Sequence, residues 1–202
     1  MGADGSGALD GETSPFGIVL MCTPIGHILA GAAVYRGGSK KGIHSPWFFF
    51  FILICANIPD VDFLFGFVAG NPNLYHHMWT HSLTFCAGVG VLTALGSRLF
   101  GECRSFRIGL LVFGAALSHL VLDYFTADQN PPFGIKLFWP FTGNYYIASV
   151  PVFQDVYRIS ENSGFFESLI CRHNGVTLLI EIAIMGPILV LVFILTSKKK
   201  VI

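Results

Sequence analysis

Charge is scarce in this chain: 12 Lys or Arg and 12 Asp or Glu among 202 residues, 12% in all, balancing to no net charge. A soluble domain ordinarily carries about twice that share. No basic stripe runs along any segment, so the electrostatic footprint of a nucleic-acid partner is missing. Cysteine shows no pairing pattern either. Cys22, Cys55, Cys86, Cys103 and Cys171 are odd in number, lack CxxC spacing and lie mostly in apolar segments, which makes them packing residues rather than a disulfide or thiolate framework. No basic stretch precedes Phe16, so the first apolar run reads as a span rather than a secretory signal. What is abundant is hydrocarbon. The hydrophobic share is 53% and the mean hydropathy +0.64, the composition of a membrane protein.

Residues 1–15 are rich in Gly and Ser, carry Asp4, Asp10 and Glu12, and have too little apolar content to fold, which predicts a disordered tail. Residues 16–202 read as one integral membrane domain. Its apolar segments fall near 16–35, 46–69, 82–100, 108–126 and 176–196. About 20 helical residues cross a bilayer, so the expected fold is all-α, a polytopic bundle of about five spans. Several segments are interrupted. Non-helical backbone at membrane depth survives only inside protein or beside a cavity, and Pro59 predicts such a break next to Asp60.

Arg36, Lys40 and Lys41 separate the first two segments, Arg98, Arg104 and Arg107 the third and fourth, and Lys198, Lys199 and Lys200 follow the fifth. Residues 70–81 and the N-terminal tail have no Lys or Arg. The positive-inside rule therefore puts the C-terminus in the cytoplasm and the long 127–175 connection outside. His119 and Asp123 lie 12 and 16 residues past Arg107, about 18 and 24 Å along a helix, in the outer half. Asp60 and Asp62 are comparably far from Lys41, His81 opens the third segment on the outer side, and His27 sits near the middle of the first. An orientation taken from Lys and Arg alone brings these groups to one level.

Ionisable groups in hydrocarbon are costly and mark functional sites, and imidazole with carboxylate is the donor set of zinc and related divalent ions. His119 and Asp123, four apart on a helix, share one face. Asp60 and Asp62, two apart, align only if the chain is extended or broken after Pro59. In the run from His76 to Ser82, helical spacing pairs His77 with His81, whereas a loop capped by Thr80 or Ser82 frees His76 to turn inward; both histidines stay in the candidate set. His27 follows a Pro-Gly interruption. His44 and His173 lie beside basic residues on connections and read as surface positions.

The order HxxxG at His27–Gly31, PDxD at Pro59–Asp62, the His76–Ser82 run, and HxxxDxxT at His119–Thr126, followed by Gly134 and Trp139-Pro140-Phe141, resembles the membrane-bound metal-dependent hydrolases. These are also known as LexA-binding, inner-membrane-associated hydrolases, and the likeness spans about residues 21–155. That family is distantly similar to zinc-dependent phospholipase C and the zinc nucleases. The resemblance implies His27, Asp60, His76, His81, His119 and Asp123 as metal ligands; with two or three ions bound, Asp62 is expected to serve as a bridging ligand or general base. It prefers His76 to His77, and His77 stands where the family commonly has Arg.

Together these readings imply an inner-membrane hydrolase with two or three divalent ions, zinc first among them, that activates water against a phosphoester in a lipid-like substrate. The expected partners are membrane lipid and that substrate. Phe133, Phe138, Trp139, Phe141, Tyr145 and Tyr146 make the 127–175 loop an expected interfacial belt and lid. A metal transporter or metal-binding module is the alternative, although Gly, Ala, Leu and Phe dominate the chain below His27 and His119. Haem bound by His27 and His119 is a third.

Overall fold

The computed structural model describes residues 22–39, 45–128 and 132–197. The tail at 1–15, the beginning of the first apolar segment, Lys40, Lys41, His44 and the triple-lysine end lie outside the described residues.

Seven α-helices and one 3-10 turn build the described chain, with no strand among them: α1 Pro24–Gly38, α2 Pro46–Cys55, the turn Ile58–Val61, α3 Asp62–Val68, α4 Leu83–Leu99, α5 Ser105–Tyr124, α6 Phe165–Ser168 and α7 Arg172–Ser197. Local chemistry explains the ends. Pro24 occupies the first turn of α1 and Thr23 accepts a hydrogen bond from Gly26 N; Ser82 does the same for Phe85 N at the start of α4. Pro59, which has no N–H to donate, falls in the 3-10 turn, and the chain bends by 64° between α2 and the helical stretch after it.

Among the described residues two helices, α5 and α7, are long and apolar enough to cross a membrane, and a third span exists if α2 and the segment after its bend count as one. This is fewer than the five expected. The reason is where helices begin: α1 is helical only from Pro24 and has 15 residues, and α4 starts after the His76–Ser82 turns and has 17, each short of about 20. On α7 the apolar residues Leu179, Ile182, Ile188, Leu191, Phe193 and Leu195 are all exposed, as befits a helix that faces lipid.

The core sits where α5 packs between α4, α1 and α2. Gly90 and Gly109 let α4 and α5 touch backbone to backbone, since a Cβ on Gly109 would stand 2.5 Å from the Gly90 carbonyl oxygen. Ile52, Cys55, Ala56, Leu111, Val112 and Ala115 fill the space toward one end. That end carries the arginines: Arg107 donates to Gly38 O at 2.9 Å and Arg36 to Ser197 Oγ at 3.0 Å, so the C-termini of α1 and α7 meet the N-terminus of α5. The polar cluster lies beyond this plug, toward the other end of α5.

The connection after α5 folds back over the bundle. Val152 N and Phe153 N donate to Phe125 O, Ala148 N to Tyr124 O, Leu83 N to Leu137 O and Lys136 N to His77 O. Phe133, Phe138, Trp139 and Phe141 remain exposed on it. All five cysteines are free; Cys22, Cys55 and Cys86 are buried as packing residues should be, while Cys103 is exposed and Cys171 partly so.

Candidate metal centre

Five separate pieces of chain supply the centre. His27 comes from α1, Asp60 from the 3-10 turn, Asp62 from the first residue of α3, His76, His77 and His81 from the turns before α4, and His119 and Asp123 from one face of α5. Every expected ligand is present, and donor atoms fall into four overlapping triads whose members lie within 4.8 Å of one another: His76, His77 and His81; His27, His119 and Asp123; Asp60, His81 and His119; Asp60, Asp62 and His76.

Asp123 and Asp60 are the hubs. Asp123 Oδ2 lies 3.0 Å from His119 Nε2 and 3.4 Å from His81 Nε2, and its Oδ1 is 3.5 Å from His27 Nε2. Asp60 Oδ1 is 3.5 Å from His119 Nε2, 3.6 Å from His81 Nε2 and 3.9 Å from His76 Nδ1. Asp62 differs. Its oxygens are 3.1 Å from His76 Nδ1 and 3.1 Å from His81 Nδ1, and Thr80 Oγ1 donates to it at 2.8 Å. With Asp62 accepting, both imidazoles carry their proton on Nδ1, and His81 turns its Nε2 toward Asp60, Asp123 and His119, the arrangement by which outer carboxylates orient metal-binding histidines. The Ala56 carbonyl does the same for His119, at 2.9 Å from its Nδ1.

The donor set fits a divalent ion. Among buried atoms without a hydrogen-bond partner are both ring nitrogens of His27, Nε2 of His76, Nε2 of His77, Oδ1 of Asp60 and both oxygens of Asp123. A buried polar atom left unpaired costs about 1–3 kcal/mol, and a shared cation could satisfy this concentration of them in one place. Imidazole and carboxylate without thiolate suit zinc and similar ions.

Electrostatics of the turn that carries three of the histidines agree. Burial drives His76 down to about 4 despite the pull of Asp62, and drives His77 well below the usual imidazole range, so both are neutral at pH 7 and able to donate to a cation. Burial also opposes charge on His81, but Asp62, Asp123 and Asp60 outweigh it and raise this group well above its ordinary value. Without metal, His81 holds a proton among the carboxylates.

The turns replace the helical spacing considered for His77 and His81. His77 has φ 63°, a left-handed backbone that only Gly adopts without strain, and this twist brings His76, His77 and His81 onto one side together. Ser82 is the cap, and Thr80 serves Asp62 instead. The rings of His27 and His119 stack with centroids 3.6 Å apart, inside the cluster of carboxylates and imidazoles. His173 lies outside the centre, bonded to Asp155 at 2.8 Å.

Sequence reasoning missed Phe63, Asn73 and Arg158, and gave Thr80 only a capping role. Phe63 stacks on His76 at 4.3 Å, and the Arg158 guanidinium lies 4.7 Å from the centre of the same ring. Arg158 is 2% exposed, and burial lowers it only to about 10, so it stays charged at neutral pH. A wholly buried Arg is rare enough to mark a site, but its surroundings, contributed from residues 63 and 73, are invisible in the local sequence.

A family model described as YdjM inner membrane protein matches residues 21–201 of this 202-residue chain. No curated protein and no solved structure matches it.

Proposed function

We propose that this chain, which belongs to the YdjM inner membrane protein family, is a divalent-metal-dependent hydrolase of a phosphoester in a lipid-like substrate. The observation that carries the reading is the convergence of buried, unpartnered imidazole nitrogens and carboxylate oxygens from four chain segments, with Asp62 of a fifth bonded to the histidines among them. Zinc, as two or three ions held by His27, Asp60, His76, His81, His119 and Asp123, would supply Lewis-acid activation of water and of the scissile ester.

The protein residues divide the remaining work. Asp62, first considered as a bridging ligand or base, has its oxygens engaged by His76, His81 and Thr80 and acts as a positioning residue. Asp60 is the one carboxylate of the cluster with solvent or lipid access, its side chain 14% exposed. It opens onto an apolar groove of about 790 Å³ lined by Ile28, Phe50, Leu53, Ile54, Ile58 and Val61. Such a groove beside a cation site suits a substrate with a hydrocarbon tail and an anionic head.

We place the site toward the external face and the C-terminus in the cytoplasm, supported by the gathering of Arg36, Arg107 and the end of α7 at the opposite end of the bundle. The apolar plug of Ile52, Leu111, Val112 and Ala115 between that end and the cluster counts against an ion path, and hence against a transporter. The test is hydrolysis of a phosphomonoester, a phosphodiester and a short-chain phospholipid by metal-replete protein. Turnover of one of them that is lost in Asp60→Asn supports the reading; full metal occupancy with no turnover of any of them leaves a metal-binding module.

A further inference from the structure

We propose that Arg158 is an anion-binding residue that receives the phosphoryl oxygens of the substrate beside the metal centre; this rests on the metal-dependent reading above.

Arg158 is the only charged side chain of the described 127–175 connection that is wholly buried on the centre's side, and the fold is built to hold it there. The backbone on each side is clamped. Tyr157 N donates to Asn174 Oδ1 at 2.6 Å, Asn174 Nδ2 returns a bond to Tyr157 O at 2.7 Å, and Ile159 N donates to Ser168 Oγ at 2.9 Å. Asn73 fixes the head, accepting from Arg158 Nε at 2.8 Å, and the Phe63 ring supports the guanidinium plane. Phe63 also stacks on His76, so one ring spaces the guanidinium and a ligand imidazole.

With all this scaffolding, Nη2 of Arg158 is buried and makes no hydrogen bond. A structural arginine would use its fork, since an unpaired charged donor in the interior is expensive. Its charge interacts with Asp60, Asp62, Asp123 and, at the rim, Asp128. Those acids do not cancel it once ions bind. Two divalent ions outweigh the three buried carboxylates by one charge, Arg158 adds a second, and Asp128 offsets one, leaving the centre positive. A guanidinium close to cations is stable only with an anion between them, and its planar donors match phosphate geometry bidentately.

The experiment measures inorganic phosphate binding by calorimetry on the detergent-purified, zinc-loaded full chain, with zinc content determined separately. Wild type should bind phosphate. Arg158→Gln should bind it at least about tenfold more weakly while keeping the same zinc, in line with the loss of a charged hydrogen bond. Arg158→Lys, which keeps charge but not the fork, should fall between them and serves as the decisive variant if Arg158→Gln fails to fold. Unchanged phosphate affinity in Arg158→Gln, or in Arg158→Lys where only that variant folds, overturns the proposal, as does zinc-replete wild type that takes up no phosphate. Wild type that binds no zinc overturns the underlying metal reading instead, and the separate zinc determination tells the two failures apart.

Discussion

His81 and His119 bring their Nε2 atoms to 3.2 Å of each other, although the two residues are 38 apart in sequence. The Nδ1 of His119 faces a carbonyl and that of His81 faces Asp62, so two ring lone pairs point at one spot. Only a proton or a metal ion resolves that contact. The raised proton affinity of His81 means that metal entering near pH 7 displaces a proton, and metal affinity falls as the pH drops. Zinc titrations at pH 7 in two buffers of different ionisation enthalpy should reveal about one proton released per site, and equal heats in both buffers would contradict it.

Asp62 acts on the centre through the rings it orients. Asp62→Asn should lower zinc affinity about 10- to 100-fold, the usual effect of losing an outer partner of a metal-binding histidine. Thr80→Ala, which leaves the carboxylate in place, should lower it less. A competition assay with a chelating dye orders the two variants.

Of the adjacent histidines, His76 is held by Asp62 at 3.1 Å, whereas His77 has no comparable partner on its ring and sits on strained backbone. His76→Ala should therefore cost more metal than His77→Ala. Replacement of His77 by Gly should leave stability unchanged or raised by up to about 1 kcal/mol, because Gly accepts the left-handed conformation. Thermal unfolding and zinc content of the two variants check both statements.

The legible part of this protein was its list of polar residues in apolar surroundings. His27, Asp60, Asp62, His76, His81, His119 and Asp123 stand out because imidazole and carboxylate are expensive in hydrocarbon, and all seven meet. The break at Pro59 was legible for the same kind of local reason. The number of spans was not: hydropathy does not show that the turns from His76 to Ser82 delay α4, nor that α1 is helical from Pro24. Arg158 escaped notice because its partners Asn73 and Phe63 are 85 and 95 positions away, a contact set by tertiary folding alone.

Orientation in the membrane has its own test. Cys103, exposed in the connection between α4 and α5 beside the arginines, should be protected from a membrane-impermeant maleimide in intact cells once Cys171 is replaced by Ser. Gly143→Cys, introduced in the aromatic-rich connection of a background with Cys103→Ser and Cys171→Ser, should be labelled. Labelling of both positions from the same side would contradict the assigned topology.

Elemental analysis of detergent-purified protein tests the central claim most directly. The wild type should carry at least one equivalent of zinc or a similar divalent ion; His119→Ala and Asp123→Ala should each lose most of it, and His173→Ala, altered outside the centre, should retain it. Wild-type protein without stoichiometric metal, even after incubation with zinc, or metal content indifferent to His119 and Asp123, would contradict the account.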